Sequence, residues 1–129
     1  MKKIILQPST LGVPIAPYVP GTKRNAFVFT SGQVALDKEG NLVGKGDVGA
    51  QTRQVLQNIK AVLQEGGATL DDVMKTTVFL ADIKDFSAMN EVYADFFGDA
   101  KPARSTVQAA LARPEFLVEI EAIAIVGDE

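Results

Sequence analysis

The chain has 129 residues, of which 47% are hydrophobic and 22% charged, and its formal net charge is −3. This is one ordinary domain, residues 1–129, with enough apolar residues for a core, and its only basic clusters, Lys2–Lys3 and Lys23–Arg24, are too small for a nucleic-acid footprint. The absence of cysteine and histidine excludes disulfides, thiol catalysis, Ser–His and Cys–His nucleophile pairs and the preferred zinc ligands.

With no Walker A motif and no EF-hand spacing, neither a metal nor a cofactor is expected. The N-terminal stretch MKKIILQPSTLG has only three large apolar residues in a row, too few for a signal-peptide core, and no stretch could span a bilayer. The expectation is a cytoplasmic protein without a membrane partner. Residues 3–6 suit a short first strand. The following PSTLGVPIAPYVPGT carries four prolines and two glycines and reads as extended loop. Residues 26–36, AFVFTSGQVAL, read as a strand interrupted at Ser31–Gly32, where the glycine signals a bulge or a close backbone approach. A turn at 37–40 leads to a short return strand at 41–43.

Asp47 can cap a helix over 48–65, stopped by Gly66–Gly67. Val48, Val55, Leu56, Ile59, Val62 and Leu63 form its one-sided apolar stripe, opposite a solvated face of Arg53, Gln57, Lys60 and Gln64. Asp71–Asp72 reads as the acid-rich first turn of a short helical segment rather than as a metal site. Residues 74–81, MKTTVFLA, are a β-rich strand. Asp85 can cap a second helix ending at Gly98, whose Phe86, Met89, Tyr93, Phe96 and Phe97 are assigned to the core. Strands from Arg104 and over 117–126 complete an α+β sheet with both helices on one face.

In the last strand Val118, Ile120, Ala122, Ala124 and Val126 share an apolar face that belongs under the helices. The other face carries Leu117, Glu119, Glu121, Ile123 and Ile125. Arg104, Thr106 and Gln108 of the neighbouring strand are assigned to that second face as well. Ile123 and Ile125 would then lie on an open apolar patch, which self-association would cover. For Arg104, two readings stand: a cross-strand ion pair with Glu119 or Glu121, or a free guanidinium fork that grips a carboxylate.

FTSGQ (29–33), AQTRQVLQNIKAVL (50–63), KTTVFLAD (75–82), MNEVYADFF (89–97), KPARSTVQ (101–108) and VEIEAIA (118–124) together resemble the Rid family of reactive-intermediate deaminases, the YjgF-type proteins. The resemblance implies a chorismate-mutase-like, ferredoxin-related α+β fold and a homotrimer with clefts between subunits. It also implies hydrolysis of enamines and imines such as 2-aminoacrylate and 2-iminopropanoate to 2-keto acids and ammonia. By that resemblance Arg104 grips the substrate carboxylate, Glu119 positions or activates water, and Tyr18 lines the cleft. Thr106 stands where many members have cysteine and serves through its backbone N–H. Ser31 and Gly32 match the SGQ turn, and Asn90 matches a helix asparagine beside the site. On their own residues, Ser31 reads as a turn residue before a catalytic one, and Asn90 reads equally as a satisfied buried amide. The loop APYVPGT is similar to the RutC-type aminoacrylate deaminases, whereas ARSTVQ and EIEAIA are similar to the general imine-deaminase branch.

An imine is already electrophilic, so water adds to it without a metal or a nucleophilic side chain. A cationic anchor, an acid to orient water and donors for the nitrogen are sufficient. Glu119 beside an arginine is expected to stay ionised, as a base must. Two other classes of function draw on the same residues. One is a non-catalytic small-carboxylate-binding regulatory protein using Arg104. The other is RNA cleavage, attributed to some relatives, against which the acidic balance and the missing histidine argue.

Overall fold

The computed structural model describes residues 2–127. Its six-stranded sheet runs in the order β1-β2-β3-β6-β4-β5, with β1 Ile4–Leu6, β2 Gly21–Arg24, β3 Phe27–Thr30, β4 Val73–Leu80, β5 Ala103–Gln108 and β6 Val118–Ile125. Two helices, α1 Val48–Glu65 and α2 Phe86–Phe97, cover one face, as the sequence predicts. All neighbouring pairs are antiparallel except β4 and β5, which are parallel and joined through α2. No helix among the described residues is long and apolar enough to cross a membrane.

Helix α1 forms where the sequence places it. The Asp47 side chain accepts the Ala50 N–H at 3.0 Å, and the helix closes at Gly66–Gly67. Its apolar stripe is buried against Val78, Leu80, Val118, Ile120, Ala122 and Ala124 of the sheet. The second helix ends at Gly98 as expected, but Asp85 makes no side-chain cap bond. Asp82 instead accepts the Lys84 N–H at 2.9 Å and caps the short 3-10 turn before α2. A second 3-10 turn, Leu70–Asp72, carries the acidic pair, and the Asp72 carboxylate accepts the Thr69 N–H at 2.8 Å.

Two assignments differ from the sequence reading. The proline-rich loop ends earlier than expected, and Gly21–Arg24 pairs with both β1 and β3. The hairpin is closed by Asn25 at φ 53°, a conformation asparagine tolerates, which turn-residue counting did not single out. Gly21 is needed there because a Cβ would run into the Val62 side chain and stand 2.9 Å from the Phe29 carbonyl. Residues 31–36 and 41–43 do not form extended strands. They contribute only single bridges, Gln33 to Ile120 and Leu36 to Leu42.

Candidate active site

The seven candidate residues fall into two groups that do not meet within one chain. The first gathers around the end of β3 and the start of β6. After Thr30 the backbone leaves the ladder, and the Ser31 hydroxyl donates to the Val19 carbonyl at 2.5 Å while its N–H donates to the Pro20 carbonyl at 2.8 Å. Ser31 thus clamps the loop that carries Tyr18. The next two residues turn toward β6, where Gln33 and Ile120 exchange both backbone hydrogen bonds. Gly32 lies directly against the Glu119 carboxylate, and any Cβ at this position would occupy that group's space. The glycine is a close-approach residue, as the sequence reading anticipates.

Tyr18 is 56% exposed and borders two clefts, of about 330 Å³ and 240 Å³. Gly32 opens into the larger and Ser31 into the smaller. Glu119 is half-buried on the open sheet face, beside Phe79 in the ladder and two residues from Glu121. Burial pushes its carboxyl above the ordinary glutamate value, and the Glu121 charge adds to the rise. The expectation that an arginine would keep Glu119 ionised is therefore wrong within the chain.

The reason is the position of Arg104. In the ladders, Thr76 of β4 is the partner of both Arg104 on β5 and Ala122 on β6. Residues that align across strands share a face. Arg104 therefore lies on the helix-covered side with buried Thr76 and Ala122, and Thr106 follows with Val78 and Ile120. Assigning Arg104, Thr106 and Gln108 to the open face overlooked the intervening strand β4. Ser105 and Val107 are the β5 residues on the Glu119 side. The cross-strand ion pair is ruled out by the same geometry. Two strand spacings, about 10 Å, and the thickness of the sheet separate Arg104 from Glu119. Among the described residues Arg104 has no carboxylate partner.

The second group forms at this edge. The Arg104 guanidinium carbon stands 4.7 Å from the Tyr93 ring centroid and 5.5 Å from that of Phe86, both on α2. Asn90 is spaced four residues from Phe86 and three from Tyr93, which puts all three on one helical stripe. It is half-buried. Tyr93 is buried, its hydroxyl 2.6 Å from Thr76 Oγ1, and its phenol is shifted upward by burial, partly offset by Thr76 and Arg104. Phe86, assigned to the core from the sequence, is instead 40% exposed. The i, i+4, i+7 pattern of Phe86, Asn90 and Tyr93 was legible, but its contact with an edge-strand arginine was not. Gln108 is also committed, its Oε1 accepting the Ile83 N–H at 2.8 Å.

The family described as endoribonuclease L-PSP matches residues 10–126. A RutC family protein of Pyrococcus horikoshii is 50% identical over 111 residues, 86% of this chain and 88% of its own length; its Pyrococcus abyssi counterpart is 48% identical over 111 residues, 86% and 87%. The crystal structure of Escherichia coli TdcF with bound serine superposes with a TM-score of 0.88 at 38% identity, over 96% of this chain and 99% of that one. The chain belongs to the Rid/YjgF–RutC family, the superfamily also labelled endoribonuclease L-PSP.

Proposed function

We propose that the chain hydrolyses small, short-lived enamines and imines bearing a carboxylate, such as 2-aminoacrylate and 2-iminopropanoate, in sites shared between the subunits of a homotrimer. The observation that carries this reading is the division of labour on one chain. A guanidinium with no carboxylate partner among the described residues stands at one sheet edge with Asn90 and Thr106, and a carboxyl of raised proton affinity stands on the opposite face with Tyr18, Ser31 and Gly32. Each half lacks what the other supplies. Family membership and the similarity to RutC family proteins support the same reading.

In the proposed site Arg104 of one subunit grips the substrate carboxylate through its N–H fork, assisted by Asn90 and the backbone N–H at Thr106. The reacting carbon then faces Glu119 of the neighbour. Glu119 takes a proton from water as the oxygen adds across the C=N bond, giving a carbinolamine. Glu119 delivers that proton to the nitrogen to complete the carbinolamine. It then takes the carbinolamine hydroxyl proton and hands it to the amino group, so that the C–N bond breaks, ammonia leaves and the C=O bond forms. An enamine must first gain a proton at its β-carbon and lose one from its nitrogen to become the imine. A carboxyl whose affinity for protons is raised suits both the uptake and the return.

Arg104→Ala should lower kcat/KM for 2-iminopropanoate generated in situ by at least about a hundredfold, roughly 3 kcal/mol of anchoring, with the fold retained. Near-normal turnover by this variant would sink the assignment. Glu119→Gln should bind 2-ketobutyrate but turn over slowly. Calorimetric binding of 2-ketobutyrate by wild type without turnover of any imine tested would instead favour the regulatory reading.

A further inference from the structure

We propose that Phe86 and Tyr93 are positioning residues for Arg104: an aromatic cradle on α2 that fixes the plane of the guanidinium and thereby sets the affinity for carboxylate ligands. The inference rests on the reading of Arg104 as the carboxylate anchor.

The geometry is specific. Arg104 lies on an edge strand and has no ion-pair partner among the described residues, so no carboxylate among them holds its long side chain in place. Its guanidinium instead lies 4.7 Å and 5.5 Å from the two ring centroids. The N–H donors of a guanidinium point outward in its own plane. A guanidinium rested on ring faces therefore keeps its donor edge free for two parallel bonds to a carboxylate. The Tyr93 ring is itself held, because its hydroxyl is tied at 2.6 Å to Thr76, the ladder partner of Arg104. Strand, ring and guanidinium are thus locked in one register. Phe86 is 40% exposed and is not part of the hydrophobic core among the described residues.

The test is calorimetric binding of 2-ketobutyrate to the full chain, with steady-state kinetics on 2-iminopropanoate and a thermal melt for each variant. Phe86→Leu should weaken Kd and raise KM by about three- to tenfold, with kcat and Tm close to wild type. Tyr93→Phe keeps the ring and should keep Kd within about twofold while lowering Tm, because Thr76 loses its buried partner. Tyr93→Leu, if it folds, should weaken Kd by about tenfold or more. Neither leucine variant should weaken binding further when combined with Arg104→Ala. Wild-type affinity in Phe86→Leu beside lost binding in Arg104→Ala would overturn the cradle and leave the anchor standing. Normal binding by Arg104→Ala would overturn the anchor and the cradle with it. A kcat effect without a Kd effect in Phe86→Leu would also refute positioning.

Discussion

Glu119 shows how one carboxyl can be tuned without a specific partner. It is pressed against Gly32, partly withdrawn from water and two residues from a like charge, so its proton affinity rises. The folded chain then holds a proton that the unfolded chain has released, between the ordinary glutamate value and the raised one. Stability must fall as pH rises through that window, because the native state binds more protons there. Glu119→Gln should therefore lose less stability than wild type as pH rises above the ordinary glutamate value, read from urea midpoints at several pH values. The opposite slope would mean that a cation reaches Glu119 in solution. The residue was legible in the sequence as the first acid of a strand motif, and Gly32 as a close approach. Its electrostatics were not legible, because they depend on which face Arg104 occupies. That in turn depends on β4 lying between β5 and β6, a matter of long-range pairing that strand alternation does not encode.

Among the elements, α1 does more than cover the sheet. Gln51 is fully buried in it, and its amide bridges three backbone groups: Nε2 donates to the carbonyls of Gly44 at 3.1 Å and Glu115 at 3.0 Å, and Oε1 accepts the Leu117 N–H at 2.9 Å. Asn58, seven residues on, donates to the carbonyls of Val34 at 3.2 Å and Leu36 at 3.0 Å. These two amides tie down the segment leading into β6 and the one leaving β3, the same two that meet at Gly32 and Glu119. Gln51→Leu should cost about 3 kcal/mol or more by leaving the Glu115 carbonyl and the Leu117 N–H unpaired, while the Gly44 carbonyl keeps the Asp47 N–H, measured by chemical denaturation. A loss below about 1 kcal/mol would mean that water replaces the amide. The helix itself was readable from its cap, its apolar stripe and its glycine stop. The two amides were not singled out, because a polar residue on a helix becomes informative only when the loops that pass over it are known. Strand β2 escaped for a related reason: its four residues follow a proline-rich run, and only pairing with β1 and β3 makes them a strand.

At the scale of the molecule, the sheet face away from the helices carries Phe27, Phe29, Ile123 and Ile125, all more than a third exposed and adjacent in the β3–β6 ladder. A contiguous apolar surface of this kind is a mark of association, and the proposed homotrimer would cover it. Ile123→Asp should shift the protein to a smaller species in sedimentation or light scattering and abolish deamination; an unchanged mass would show that this face is not the interface. The apolar alternation of the last strand made this face legible, whereas the assignment of Arg104 to it was an error of parity. The separation of Arg104 from Glu119 by a whole strand and the thickness of the sheet has one further consequence, which is genetic. Two defective chains, one Arg104→Ala and one Glu119→Gln, each keep the half that the other has lost. Co-assembled in equal amounts from unfolded or co-expressed chains, they should rebuild intact sites at about one junction in four, so that two inactive proteins yield an active mixture.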